Sequence, residues 1–122
     1  MILLVVDMQK GLVDEDLYAF DTFIDRTVRL VDAARKNNIE VIFVQHDAGP
    51  DSGMSIGDEA FEIIDRIAPA EGEKVFVKTI NSCFGNKDNI IFHSFFFTVS
   101  VGIICKGHIP VIGILQRAPF IV

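Results

Sequence analysis

Residues that can carry chemistry come directly after predicted strands, at positions that place them together. Asp7 closes the apolar run 2–6, Lys78 closes the run 74–78, and His46 follows a third apolar run. A lysine opposite a carboxylate in a crevice can have a perturbed pKa and mark a functional site. We therefore take Asp7 and Lys78 as candidate catalytic residues and His46 as a candidate substrate-binding residue.

The chain has two cysteines, Cys83 and Cys105. A thiol is a potential nucleophile once it loses its proton, although free cysteine is more often a small buried hydrophobe. Two cysteines do not form the disulfide framework of a small secreted domain. The first residues show neither the basic segment nor the small-residue cleavage site of a signal peptide, so we expect a cytoplasmic protein.

The predicted elements alternate in a way that fixes the fold class. Residues 40–45 form a strand, and residues 21–37 carry apolar side chains at the spacing of an amphipathic helix that Asp21 or Thr22 would cap. Residues 58–67 predict a second, short helix. This βαβαβ order predicts an α/β fold, a three-layer Rossmann-like sandwich with a mainly parallel sheet and helices on both faces. We expect it to be incomplete on its C-terminal side.

The parallel sheet would bring the candidate residues to one edge. The carboxyl ends of parallel strands share an edge, and ligands bind there. If strand 40–45 lies between the other two, the backbones of Asp7 and Lys78 are about 10 Å apart, at about 4.8 Å per strand. A lysine side chain can cover much of that distance.

Charge is distributed unevenly along the chain, whose net charge is −6. Residues 1–88 hold all 17 acidic residues and nine of the 11 basic ones, which gives −8, whereas residues 89–122 hold only Lys106 and Arg117. The acidic balance argues against a nucleic-acid partner, which requires a basic face. We expect one domain, with residues 89–122 as a divergent apolar segment that arose by frameshift or truncation.

The apolar C-terminal part allows several structures. Residues 90–104 are shorter than the roughly 20 residues of a membrane-spanning helix, so we expect no membrane partner. Residues 89–97 resemble a helix, and residues 98–105 and 110–115 resemble strands. Exposed edge strands within 98–115 would self-associate readily, and we therefore expect a homo-oligomer.

The residues around His46 do not make a metal or nucleotide site. His46 and Asp47 lie side by side after a strand, but no other histidine is near them in the sequence, and zinc sites need at least three protein ligands. The glycines at 49, 53 and 57 match neither a dinucleotide-binding nor a P-loop pattern. We expect no metal and no cofactor.

Three segments together resemble a known family. They are LLVVDMQKGL at 3–12, VIFVQHDAGP at 41–50 and VFVKTINSCFGNKD at 75–88. In this order and at these strand ends, they are similar to the isochorismatase-like cysteine hydrolases, which include nicotinamidases and N-carbamoyl amidohydrolases. The resemblance covers residues 1–88.

The resemblance implies a site of an aspartate, a lysine and a cysteine nucleophile. Asp7 would take the thiol proton, and Lys78 would stabilise the thiolate and the developing oxyanion. The substrate would be a small molecule with an amide or ureide C–N bond. The family's cysteine follows the fourth strand in a turn similar to G-x-x-T-x-x-C-V, which is not found in residues 89–122. Cys83 lies in the loop after Lys78, where the family has no nucleophile but a thiol could contact the pocket, so Cys105 is the candidate nucleophile.

The missing turn gives two interpretations of function. The first is a hydrolase of this family in which Cys105 replaces the usual nucleophile, with weak or no turnover in this chain. The second is a catalytically inactive remnant that acts at most as a binding or self-associating module. The presence of the turn in an alternative reading frame would favour a frameshift.

Overall fold

The computed structural model describes residues 1–80 and the main chain of residues 98–102. The strands are β1 (Ile2–Val6), β2 (Glu40–His46), β3 (Lys74–Lys78) and β4 (Thr98–Gly102), and the α-helix is α1 (Phe20–Lys36). Two short 3-10 helices, Glu59–Phe61 and Asp65–Ile67, lie between β2 and β3.

The four strands form one parallel sheet in the order β3-β2-β1-β4. Val6 lies opposite Val44 of β2 and Gly102 of β4, and His46 lies opposite Lys78 of β3. The carboxyl ends of all four strands therefore meet at one edge. The predicted α/β class, the parallel pairing and the central place of β2 are confirmed.

Strands β1 and β2 are buried on both faces, as their continuous apolar runs predict. On one face α1 packs against the two strands, and a single apolar cluster includes Leu3, Phe43, Ile24 and Val31. The opposite face has its own cluster, which includes Leu4 and is likewise buried. Within the described residues, an α-helix covers one face only.

Helix α1 begins one residue before the predicted start and without the predicted cap. Ala19 is its N-cap in the left-handed region (φ 55°), and no side chain caps the helix. The prediction that Asp21 or Thr22 caps it is therefore wrong. The preceding turn leads into the helix through main-chain bonds, since the N–H of Phe20 donates to Leu17 O, and this moves Asp21 into the first turn.

The predicted helix over 58–67 is also wrong. The chain between the two 3-10 helices is extended because it pairs with the segment that follows β1. Lys10 N–H donates to Glu62 O (2.8 Å), Ile64 N–H donates to Met8 O (3.0 Å), and Gln9 forms an antiparallel bridge with Ile63. Tertiary pairing thus overrides the local helical pattern.

Part of the C-terminal prediction can be compared with the structure. A strand within 98–105 is confirmed as β4 over Thr98–Gly102. The predictions for 89–97 and 110–115 lie outside the described residues. In the part of the chain that the structure describes, no helix is both long enough and apolar enough to cross a membrane.

Candidate active site

Asp7 is positioned by a sharp change in direction at the end of β1. Its N–H still donates to Val44 O (2.9 Å), as a strand residue does. Its φ of 56° lies in the left-handed region, which aspartate tolerates better than most residues. The chain therefore leaves the sheet directly after Asp7, at the edge where the strands end.

Lys78 reaches Asp7 across the intervening strand. Its Nζ lies 3.0 Å from Asp7 Oδ2, and the two side chains are 2% and 15% exposed. A buried ammonium and a buried carboxylate are each costly unless they are paired. The expectation that these two residues converge at one edge is met.

The electrostatic environment of Asp7 is dominated by burial. Burial raises the pKa of the Asp7 carboxyl above its ordinary value of 3.8, because it disfavours the charged form. The hydrogen bond and charge of Lys78 act in the opposite direction, as does the charge of His46. Asp7 is therefore a more basic carboxylate than an exposed aspartate, and it lies beside a cation.

His46 ends β2 between the strands that carry Asp7 and Lys78, and it is half-buried. Its Nδ1 and the Oδ1 of Asp7 are both buried, and neither has a hydrogen-bond partner in the structure described. Buried polar atoms normally have partners. The two atoms are thus available for hydrogen bonds at this edge.

The loop after His46 is fixed by the Asp47 carboxylate. Asp47 Oδ1 accepts hydrogen bonds from Gly49 N–H and from the Ser55 hydroxyl, both at 2.8 Å. These bonds lower the pKa of Asp47, with the Gly49 N–H as the larger cause. Asp47 therefore has a structural role here.

Two buried glutamines at the site were not singled out by the sequence analysis. Gln9 is fully buried and Gln45 is 9% exposed, and both donate to Phe61 O at 2.8 Å. The available signal was the position of Gln9, a polar residue two places after a strand-end aspartate. Its burial depends on the main-chain pairing of 8–10 with 62–64. The sequence does not predict this pairing, because the pattern of residues 58–67 predicts a helix.

Cys83 and Cys105 lie outside the described residues, so the third member of the predicted site has no structural account. Among residues 1–80 there is no group of three or more histidine, cysteine, aspartate or glutamate side chains that could hold a metal ion.

The structure thus defines an α/β protein whose parallel sheet has charged residues at the carboxyl ends of its strands. The sequence model of the isochorismatase domain matches residues 1–90. The chain belongs to the isochorismatase family. No match was found among the curated proteins.

Solved structures of this family have the same fold. An isochorismatase from Pseudomonas putida is 25% identical, with a TM-score of 0.72 over 84% of this chain and 55% of that one. N-carbamoylsarcosine amidase from Thermoplasma acidophilum is 23% identical, with a TM-score of 0.68 over 84% and 66%. A cysteine hydrolase from Pseudomonas syringae is 21% identical, with a TM-score of 0.68 over 84% and 59%. This chain thus spans less than two thirds of the length of each.

Proposed function

We propose that this chain carries the site of a cysteine hydrolase that cleaves the C–N bond of a small amide or ureide. Asp7 is the base, Lys78 is the cation that stabilises negative charge, and Cys105 is the candidate nucleophile. The observation that carries the proposal is the 3.0 Å pair between Lys78 Nζ and Asp7 Oδ2 at the carboxyl edge of the sheet.

The state of Asp7 suits a general base. Its Oδ2 is engaged by Lys78 and its buried Oδ1 has no partner within the described residues, so Oδ1 is the atom that can accept a thiol proton. Its raised pKa makes proton transfer from a thiol less unfavourable than transfer to an ordinary aspartate.

The reaction follows from these roles. Asp7 takes the thiol proton and the thiolate attacks the carbonyl carbon, which gives a tetrahedral oxyanion near the Lys78 ammonium. The C–N bond then breaks as Asp7 returns the proton to the leaving nitrogen, which leaves a thioester. Water, deprotonated by Asp7, attacks the thioester, releases the acid and restores the thiol.

Cys105 is the candidate nucleophile because of its distance along the chain from β4. The strand ends at Gly102, opposite Val6 and at the same edge as Asp7. In the sequence, Cys105 comes three residues after Gly102. This is also where the family resemblance expects its cysteine, after the fourth strand.

The absence of a recognisable nucleophile turn in the sequence leads us to propose weak or no turnover. It also favours a second candidate function, a catalytically inactive module that binds ligands or associates with itself through its apolar C-terminal segment. We propose further that residues 89–122 belong to the same domain as residues 1–88, which the pairing of β4 with β1 supports. The nucleotide sequence across codons 85–125 tests the frameshift.

Ammonia release from nicotinamide and from an N-carbamoyl amide tests the hydrolase. We expect any turnover to be lost in Cys105→Ala and in Asp7→Asn, and to be retained in Cys83→Ala, which removes the other thiol. Turnover that survives Cys105→Ala would rule out Cys105 as the nucleophile. No turnover, together with a self-associated state in sedimentation velocity, would support the inactive module, and a monomer would exclude its self-associating form.

A further inference from the structure

The Gln9 side chain makes three hydrogen bonds in the part of the chain described, and all three are with main-chain groups. Its Oε1 accepts from His46 N–H at 2.7 Å, and its Nε2 donates to His46 O at 3.0 Å and to Phe61 O at 2.8 Å. The residue is 0% exposed. Its amide therefore pairs with both main-chain groups of a single residue, as a neighbouring strand would.

The sheet explains why His46 needs such a partner. On the β3 side, the ladder uses the groups of Lys78, whose carbonyl accepts from Asp47 N–H at 2.8 Å. In a parallel pair, successive residues of a strand direct their N–H and C=O to alternate sides. The main-chain groups of His46 therefore point toward β1, as those of Val44 do when Val44 O accepts from Asp7 N–H.

Strand β1 does not supply that partner because the chain turns away at Asp7. Past the left-handed residue, the main chain of Met8 and Lys10 pairs with residues 62–64 instead. Without Gln9, the N–H and C=O of His46 would lose the hydrogen bonds that satisfy them in a half-buried position. An unsatisfied buried donor or acceptor carries its full desolvation penalty.

We propose that Gln9 is a positioning residue of the site, whose side-chain amide replaces a strand residue and fixes the main chain of His46 beside Asp7. The left-handed turn at Asp7 aims its carboxylate but removes the strand partner of His46. The Gln9 side chain replaces that partner, so the two features form one arrangement. The expected effect of Gln9 on turnover rests on the proposed function, whereas its effect on the His46 main chain does not.

Gln45 provides a matched control. Its Nε2 donates to Phe61 O at 2.8 Å, the same acceptor that Gln9 uses, and no bond from its side chain reaches His46 within the described residues. Gln45→Met and Gln9→Met both replace a buried amide by an apolar chain of similar length. Only the second removes the pair of bonds to the His46 main chain.

Amide hydrogen exchange followed by NMR tests the proposal on the full chain. We expect the protection of the His46 amide to fall by about tenfold or more in Gln9→Met, the size of one net hydrogen bond, and to stay within about twofold of wild type in Gln45→Met. The His46 imidazole signals, assigned with His46→Gln, should shift in the first variant only. Equal protection of the His46 amide in the two variants would overturn the proposal.

Gln9→Glu keeps the test decisive if Gln9→Met does not fold. A protonated carboxyl can accept from His46 N–H and donate to a carbonyl, whereas a carboxylate repels the carbonyls of His46 and Phe61. The pKa of the introduced carboxyl should therefore be raised in the folded state, so its support is present at low pH and lost as the pH rises. We expect His46 protection, relative to wild type at the same pH, to be at least about tenfold higher at pH 4 than at pH 7.

A protection ratio for Gln9→Glu that does not change with pH would contradict the proposal. Ammonia release is measured on the same samples, so that the two proposals fail separately. Loss of His46 protection in Gln9→Met, without any turnover in the wild type, would support the positioning role and favour the inactive module over the hydrolase. Unchanged His46 protection in Gln9→Met, together with turnover in the wild type, would support the hydrolase and contradict the positioning role.

Discussion

Lys78 Nζ lies 3.0 Å from Asp7 Oδ2 although a complete strand, β2, separates the strands that carry them. Both side chains are largely buried, the lysine almost completely. Removal of a charged group from water is compensated only while its partner is in place. The pair is therefore both the centre of the candidate site and a condition for the stability of this sheet edge.

Lys78→Met should destabilise the fold because it leaves the Asp7 carboxylate buried without its cation. We expect the free energy of unfolding to fall by about 3–5 kcal/mol at pH 7, the usual cost of removing one partner of a buried pair. Urea denaturation measures this loss. The double variant Asp7→Asn/Lys78→Met should be more stable than Lys78→Met alone, and strictly additive single effects would show that the two residues do not interact.

The titration of Asp7 should report its burial directly. Carbon-13 NMR of the carboxyl should give a pKa above 3.8 in the wild type, because burial outweighs the opposing effects of Lys78 and His46. It should give a higher pKa still in Lys78→Met, which removes the hydrogen bond and charge that lower it. A pKa below 3.8 in the wild type would contradict the prediction.

The sign of the corresponding stability effect follows from linkage. The folded state holds a proton on Asp7 more readily than the unfolded chain does. Its contribution to stability is thus fully present below the unfolded pKa of about 3.9 and is lost as the pH rises through the folded pKa. In that pH interval, the free energy of unfolding of Asp7→Asn, measured by urea denaturation, should depend less on pH than that of the wild type.

The parallel sheet and the pairing of Asp7 with Lys78 could be predicted from the sequence because they depend on strand order alone. The apolar runs that end in these residues fix which ends meet, and a lysine is long enough to span one intervening strand. The resemblance in 3–12, 41–50 and 75–88 added the family, which the match over residues 1–90 confirms.

The support of the site could not be predicted because it depends on tertiary pairing. The left-handed φ of Asp7 and the extended residues 62–64 have no local signal, and the sequence of 58–67 favours a helix. Once 62–64 pair with the segment after β1, Gln9 is buried and its amide is directed to His46. The contact of Gln9 with His46 thus depends on long-range main-chain pairing, which the apolar periodicity of the sequence does not predict.

Gly11 should tolerate no side chain because the segment after β1 approaches the first 3-10 helix closely. A Cβ at Gly11 would lie 2.8 Å from Ala60 Cβ and 3.1 Å from Ala60 O, and Gly11 N–H donates to the same carbonyl at 2.9 Å. We expect Gly11→Ala to lower the free energy of unfolding by about 1–3 kcal/mol, the usual cost of overpacking.

Thermal unfolding of Gly11→Ala, Ala60→Gly and the double variant forms a cycle that checks this contact. Ala60→Gly removes the nearer of the two clashing atoms, so the double variant should lose less stability than the sum of the single variants. If the stability losses of the two single variants simply add in the double variant, the close approach of Gly11 to Ala60 is contradicted.

Glu73 should contribute more to stability than an exposed glutamate such as Glu40, because Arg35 binds it through two hydrogen bonds. Arg35 Nε donates to Glu73 Oε1 at 2.9 Å and Arg35 Nη2 donates to Glu73 Oε2 at 2.8 Å, and Ala70 N–H also donates to Oε2. The hydrogen bond from Arg35 is the main reason that the pKa of Glu73 is lowered from 4.5. We expect Glu73→Gln to cost about 1–2 kcal/mol at pH 7.

Because the folded pKa of Glu73 is lowered, its contribution is present above the unfolded pKa and is lost as the pH falls through the folded one. Urea unfolding of Glu73→Gln should therefore converge with that of the wild type at acid pH. Glu40→Gln is the matched control, since Glu40 also pairs with a cation, Lys74 Nζ at 2.7 Å, but both side chains are more than 40% exposed. Such a pair contributes about 0–1 kcal/mol. An equal loss of unfolding free energy in the two variants would show that the two hydrogen bonds from Arg35 add nothing beyond surface charge.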